Sequence, residues 1–114
     1  MKGQTLKENK DFRRLYYRGK SVASPVLVTY AMKNRRGSCF YGITTSKKIG
    51  KAVDRNRAKR VIRASFEELK GDINGNWDFV FVARTKTTRV KMQEVRQAMY
   101  EQFCRLGVIS DEKD

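Results

Sequence analysis

Histidine is absent from this sequence, and its only two cysteines, Cys39 and Cys104, lie far apart along the chain. Without histidine or a cysteine cluster, the usual ligand sets of a zinc site cannot be assembled, so no zinc is expected. The same absence removes the most frequent general base and any Ser-His-Asp or Cys-His arrangement. The acidic residues are scattered, and no closely spaced pair is suited to a catalytic metal. The sequence predicts two reduced, buried thiols and a chain poorly equipped for catalysis on its own.

Acidic residues are also scarce relative to basic ones. The chain has 12 Asp and Glu against 26 Lys and Arg, which gives a net charge of +14 at pH 7. A small domain with this charge repels itself, so the excess is typical of proteins that bind a polyanion, most often a nucleic acid. An anionic membrane surface is the alternative. We find no transmembrane stretch, lipidation signal or apolar leader in residues 1–6, so we expect a cytoplasmic protein without a membrane partner.

The length of 114 residues is that of one domain, and the hydrophobic fraction of 39% is enough for one core. We predict a single domain over residues 1–114, ordered from about 5 to 108, with short loose termini that include the tail 110–114. The sequence contains no repeat, no low-complexity run and no linker, and it gives no reason to infer an obligate protein partner.

Hydrophobic periodicity predicts the element order α-β-β-α-β-α. Asn9 is a plausible helix cap, Pro25 falls near the beginning of the first strand, and Gly71 would stop the second helix. The first two strands are predicted to form a hairpin through a turn at 34–37. The result is an α+β sandwich with a central, mostly antiparallel sheet packed by helices. The predicted elements are helices at 10–18, 54–70 and 89–106, and strands at 21–32, 39–45 and 77–83.

The segment 47–63 holds eight basic residues and a single acid, Asp54. On a helical wheel the apolar residues of the second helix fall on one side, while Asn56, Arg57, Arg60 and Arg63 fall on the other. Arg55 and Lys59 lie between the two stripes, and their direction stays open. A solvated face paired to acids is the alternative, but only Glu67 and Glu68 are near in sequence. We therefore interpret this face as a nucleic-acid contact, in which arginine forks and helix N–H groups meet phosphates.

Three aromatic residues, Phe12, Tyr16 and Tyr30, have two possible roles. They could frame a groove in which unpaired bases stack, at about 1–3 kcal/mol per base. The alternative is that all three are ordinary core residues, and for each residue taken alone this interpretation is favoured. Because a core stripe and a stacking platform look the same in sequence, the spacing does not decide between them.

Several segments resemble the bacterial ribonuclease P protein family. Residues 47–63 are similar to its basic signature, with Arg55-Asn56-Arg57 followed by Lys59-Arg60 and Arg63. Residues 9–16 resemble the family's opening helix, and residues 19–21 and 78–84 also fit. The resemblance covers about residues 5–106. The long basic signature is specific, whereas the aromatic and strand matches are individually weak.

This resemblance implies a fold like the second domain of ribosomal protein S5, with a left-handed β-α-β crossover that general rules would not predict. It also implies a protein cofactor that binds a catalytic RNA and precursor tRNA, while Mg²⁺ held mainly by the RNA hydrolyses the bond that releases the 5′ leader. No catalytic residue is expected on this chain. By the same resemblance, the 5′ leader would meet Phe12, Tyr16, Tyr30, Lys47 and Lys48, and the catalytic RNA would meet Lys51, Arg55, Asn56, Arg57, Lys59, Arg60 and Arg63.

Two positions depart from the family pattern. Tyr16 stands where phenylalanine is common, which preserves stacking. Asp54 places beside the Arg-Asn-Arg core an acid that could cap the helix but would slightly weaken the local attraction for RNA. Two competing functions remain at this level. A structural RNA-binding protein, such as a ribosomal component, would share the charge. A self-sufficient nuclease would cleave without an RNA partner, which the missing histidine and clustered carboxylates argue against.

Overall fold

Alternating apolar side chains produce a mixed sheet in this computed structural model, which describes residues 4–110. The predicted loose tail lies outside these residues, apart from Ser110. The sheet has five strands in the order β1-β4-β5-β3-β2. The edge strand β1 has two residues, and the other four strands have four to seven residues each. The strands are β1 Gln4–Thr5, β2 Lys20–Ala23, β3 Leu27–Lys33, β4 Phe40–Thr44 and β5 Trp77–Ala83.

Three helices accompany this sheet, and they confirm the predicted α+β class. They are α1 Asn9–Arg18, α2 Ala52–Leu69 and α3 Met92–Leu106. Asn9 is the first helical residue and Glu8 is the cap position, so the predicted cap is off by one. The third helix starts three residues later than predicted, because Thr85–Thr88 form a 3-10 turn in which the Arg84 N–H donates to Thr87 Oγ1 at 2.9 Å.

The most apolar strand, β5, occupies the centre of the sheet. It pairs antiparallel with β3 and parallel with β4, so the predicted hairpin between those two strands is wrong. The chain leaving β3 reverses direction but passes across β5 instead of pairing with β3, and the Asn34 N–H donates to the carbonyl of Asn76, just before β5. A strand that is buried along nearly its whole length gains most from covering on both faces, and only the central position provides it.

The predicted first strand is in fact two strands. Ser24 Oγ accepts hydrogen bonds from the N–H groups of Val26 and Leu27, which closes a turn between β2 and β3. Pro25 sits in this turn rather than inside a strand, where its missing N–H leaves no pairing partner unsatisfied. The polar-apolar alternation runs on through the turn, so periodicity alone did not reveal the break.

The two faces of the sheet are covered unequally. On one face, α2 and α3 bury a large core that contains Phe66, Phe79, Phe81 and Phe103, all fully buried. On the other face, α1 covers a smaller cluster of Leu6, Leu15 and Val80, with half-buried side chains around it. This smaller cover leaves room for a groove beside α1.

The strands β4 and β5 are parallel neighbours joined through α2, so they form a β-α-β unit. The carboxyl ends of both strands therefore lie at one edge of the sheet. The left-handed sense of this crossover stays a prediction from the resemblance.

The two cysteines form no disulfide, as predicted, but they are half-buried where buried thiols were expected. Burial raises the pKa of the Cys39 thiol, and the nearby Asp78 carboxylate acts in the same direction, although a backbone hydrogen bond from Trp77 opposes them. This disfavours the reactive thiolate. No helix within residues 4–110 is long and apolar enough to cross a membrane.

Candidate nucleic-acid interface

The beginning of α2 is fixed by a glycine and an acid. Gly50 has φ +152°, and a Cβ there would lie 2.7 Å from Asp54 Oδ2. That same carboxylate oxygen accepts a hydrogen bond from the Lys51 N–H at 3.1 Å. Asp54 therefore caps the helix, which was one of the two effects expected of it, and α2 begins at Ala52, two residues earlier than predicted.

The outward face of α2 carries cations without counterions. Arg60 and Arg63 are exposed beside Asn56, and neither arginine has an ion pair within the described part of the chain. The two nearby acids are already engaged, Glu67 with Lys70 at 2.5 Å and Glu68 with Arg96 at 3.2 Å. The positive charge of this face is therefore uncompensated within residues 4–110, which favours a polyanionic partner.

Two arginines of the signature are held by the protein itself. Arg57 is half-buried and donates to the carbonyls of Thr88 and Val90 at 3.2 and 3.3 Å. Its predicted position on the outward face is wrong, because it lies on the flank of α2 that meets the segment leading into α3. Arg55 is also half-buried and donates to the Gly50 carbonyl at 3.1 Å. Contact of either with RNA stays a prediction.

A groove runs between α1 and β4, with a volume of about 560 Å³. Phe12 forms its floor next to Gly42, where even a Cβ atom would lie 2.4 Å from the ring. Glycine at this position of β4 therefore makes room for the aromatic ring. We call this feature the α1–β4 groove; its lining residues are Asn9, Phe12, Arg13, Tyr16, Ile43 and Thr44.

The α1–β4 groove leads to the basic helix. A smaller concavity of about 200 Å³ shares Phe12 and Ile43 with it and is closed on its far side by Lys59 and Arg63. The structure thus brings residues of the two predicted contacts together on one continuous surface. Lys59, whose direction the sequence left open, faces this concavity.

Two of the three predicted aromatics, Phe12 and Tyr16, line the groove, and stacking of bases on them stays a prediction. Tyr16 is 42% exposed and lines the α1–β4 groove, while its ring contacts Tyr30 edge-on at 4.9 Å between centroids. Phe12 and Tyr30 are half-buried and pack against the smaller cluster. Tyr30 supports the ring of Tyr16 and is not itself among the lining residues of the groove.

The predicted lysines lie between β4 and α2. Lys47 and Lys48 are exposed on a 3-10 turn, and Lys51 is exposed at the cap position of α2. None of the three has an ion pair among the residues that the structure describes. They extend the positive surface toward the edge where β4 and β5 end.

A buried ion network positions α1, and sequence reasoning missed it. Asp78 on β5 is fully buried and pairs with Arg14 at 3.2 Å and, more loosely, with Arg36 at 3.8 Å. Asp11, also buried, pairs with the same two arginines at 3.2 and 3.0 Å. Asn34 donates to the second oxygen of Asp78 at 2.8 Å. The signal available in the sequence was an acid inside an otherwise apolar strand, since such a residue requires a partner.

Comparison with known proteins identifies the family. The family model described as Ribonuclease P matches residues 1–107. The chain belongs to the ribonuclease P protein family. It is 44% identical over 103 residues to the ribonuclease P protein component of Pelotomaculum thermopropionicum, covering 90% of this chain and 92% of that one. To the component from Clostridium botulinum (strain Loch Maree / Type A3) it is 37% identical over 109 residues, covering 95% and 98%.

A solved structure agrees with this membership. The ribonuclease P protein of Staphylococcus aureus superposes with a TM-score of 0.83 at 32% identity, covering 96% of this chain and all of that one. Ribonuclease P membership confirms the predicted family and connects the chain to tRNA processing within a ribonucleoprotein. The particular RNA contacts are matters of proposal.

The described part of this ribonuclease P chain has no cluster of metal-ligating side chains. In residues 4–110 no three side chains of the His, Cys, Asp and Glu types lie together in a way that could hold an ion. Two buried acids, Asp11 and Asp78, both pair with Arg14 and Arg36. The residues present do not fit a protein-held Mg²⁺ site.

Proposed function

We propose that this chain is the protein cofactor of a ribonuclease P holoenzyme that removes the 5′ leader from precursor tRNA. The observation that carries the proposal is the continuity between an uncompensated cationic helix face and an aromatic groove, which meet at Lys59 and Arg63. One RNA would lie on the helix, and an unpaired strand would lie in the groove.

The catalytic RNA is the partner proposed for α2. Arg60 and Arg63 present guanidinium groups, which bind phosphate oxygens with two parallel hydrogen bonds. Asn56 lies beside them and can donate or accept. Lys51 and Lys59 extend the contact on either side, whereas Arg55 and Arg57 hold the helix in place and add positive potential. Neutralised phosphates release counterions, so this contact should weaken steeply with salt.

The 5′ leader is the partner proposed for the α1–β4 groove. The leader is single-stranded, so its bases are free to stack on Tyr16 and Phe12. Tyr30 keeps the Tyr16 ring upright through their edge contact. Lys47 and Lys48 would meet leader phosphates at the margin, since both are exposed and have no counterion within the described chain.

Mg²⁺ is proposed to be held mainly by the RNA subunit, where it would activate water and stabilise the leaving oxygen. The protein contributes in another way. Two RNA molecules repel each other through their phosphates, and the cations of α2 lower this repulsion. The groove orients the leader and so positions the phosphodiester bond that is cut. No protein side chain takes part in the chemical step.

The test is reconstitution with a ribonuclease P catalytic RNA at low Mg²⁺, with and without this protein. Wild-type protein should restore leader removal that the RNA alone performs poorly. Arg60→Gln and Arg63→Gln should each weaken RNA binding and make the slope of log K against log salt shallower by about one unit. Arg105→Gln, which removes an exposed charge from α3 rather than from α2, is the matched control.

Two results would contradict the proposal. If the protein binds RNA but leaves leader cleavage unchanged at every Mg²⁺ concentration, a structural RNA-binding role is favoured. If both α2 variants keep the wild-type salt slope, the helix face is not the contact.

A further inference from the structure

The outer face of α1 carries a second cationic surface that the proposed function leaves unused. Its side chains recur at spacings of three and four residues, which places them on one stripe of the helix. In a packed helix such a stripe is apolar. Here it borders a shallow concavity of about 650 Å³, which we call the outer α1 surface; it is lined by Lys10, Arg13, Arg14, Tyr17 and Arg18.

Two cations of the outer α1 surface lack counterions. Arg14 is engaged by Asp11 and Asp78, and Lys10 pairs with Glu8 at 3.3 Å. Arg13 and Arg18 are exposed, and within residues 4–110 neither forms an ion pair. Like charges one helical turn apart, as Arg14 and Arg18 are, destabilise a helix by a few tenths of a kcal/mol. An anionic partner would relieve this repulsion.

The same surface holds an aromatic ring in solvent. Tyr17 is 87% exposed, the highest value among the large hydrophobic side chains of the described residues. Arg13 precedes it by one helical turn, and Arg18 follows it directly in sequence. An open ring among arginines is the combination with which proteins bind single-stranded nucleic acid without reading its sequence.

The outer α1 surface is continuous with the α1–β4 groove. Arg13 lines both, so a strand leaving the groove over Arg13 passes directly onto the outer face. The partner that fits is an unpaired RNA strand, because the bases of a duplex are stacked on one another and offer Tyr17 no free face.

We infer that leader nucleotides upstream of those in the groove cross α1 at Arg13, an inference that rests on the proposed function. They continue over the outer α1 surface, where Tyr17 stacks on a base and Arg18 contacts a phosphate. The protein thus follows the leader over two successive sites, and long leaders make contacts that short ones cannot reach.

A leader-length series with the reconstituted holoenzyme tests this inference. The leader is lengthened one nucleotide at a time to about twelve, within the site sizes known for single-strand grooves. Tyr17→Ala should lower affinity roughly 5- to 100-fold, the range of one stacked base, only for leaders beyond a threshold length. Tyr17→Phe should bind like wild type. Arg18→Gln should reduce the salt slope by about 0.7 for long leaders alone.

Controls separate this inference from the proposed function. Phe12→Leu keeps apolar packing in the groove but removes the aromatic ring, and it should weaken binding of short and long leaders alike. If Phe12→Leu weakens leader binding and Tyr17→Ala does not, only the proposed contact at the outer α1 surface is overturned. If neither variant weakens leader binding, the leader contacts proposed for the groove and for the outer α1 surface are both overturned. If Tyr17→Ala weakens binding equally at every leader length and for mature tRNA, the outer α1 surface contacts another RNA. That result also overturns the inference.

Discussion

At the scale of single residues, Gly42 makes room for the Phe12 ring that lines the α1–β4 groove. The Phe12 ring lies where any side chain at this position of β4 would project. Leu15, one turn further along α1, is fully buried and holds the helix at this distance from the sheet. The ring is thereby confined between helix and strand, with one face available to the groove. The aromatic floor therefore depends on the absence of a single methyl group.

Gly42→Ala is expected to displace the Phe12 ring and to reduce leader-dependent binding. The new Cβ would meet ring atoms at 2.4 and 2.8 Å, and the ring, which is half-buried, can rotate away. Overpacking of this kind costs about 1–3 kcal/mol at most sites, so the chain should still fold. The measurement is the affinity for leader-bearing precursor relative to mature tRNA.

Gly71→Ala is the matched control, because nothing lies within 4 Å of a Cβ there. It should leave both affinities unchanged. An unaltered preference for the leader in Gly42→Ala would show that the position of Phe12 is irrelevant to binding.

At the scale of elements, α2 combines an inner face, an outward face and a flank. Its inner face packs Ala58, Ile62 and Phe66 into the main core. On the flank, Arg57 ties the helix to the segment before α3, whereas Arg60 on the outward face contacts solvent. Neighbouring cations of one motif thus differ in their surroundings: Arg57 is held by protein carbonyls, and Arg60 is free for the proposed RNA contact.

Replacing these two arginines should separate the two roles. Arg57→Gln removes charged donors from two carbonyls, so its free energy of unfolding should fall by about 1–2 kcal/mol. Arg60→Gln should change it by less than about 0.5 kcal/mol, as exposed substitutions usually do. Urea unfolding followed by the fluorescence of Trp77, the single and buried tryptophan, measures both. Equal stabilities would mean that the Arg57 hydrogen bonds contribute nothing.

At the scale of the whole molecule, the excess of positive charge is the dominant feature. The chain carries +14 at pH 7 and no histidine. Its described residues gather no metal-binding cluster, and its most buried acids are neutralised by arginines. Under the proposed function, this charge attracts and orients RNA, and the RNA subunit carries the chemistry.

The purified protein alone, with Mg²⁺, is therefore expected to leave precursor tRNA intact. Cleavage at the leader junction should appear only after the catalytic RNA is added. Labelled precursor analysed on a denaturing gel gives the measurement, and protein treated to remove RNA is the control. Accurate cleavage by RNA-free protein would disprove this division of labour.

The local sequence determined the helices, the central strand and the basic face. Residues 77–83 are apolar enough to predict a buried strand with the observed limits. The apolar stripe of α2 predicted which side packs, and Asp54 was recognised as a possible cap. These features depend on a residue and its near neighbours, which is the information that periodicity contains.

The tertiary structure alone decided which strands pair and which side chains meet. β5 separates β3 from β4, although a hairpin between them was the local expectation. The sequence also could not place Arg57 against the carbonyls before α3, or bring Asp11 and Asp78 to the same two arginines. Such contacts join residues distant along the chain. The competition to cover apolar surface selects them, and that competition is settled only when the whole chain packs.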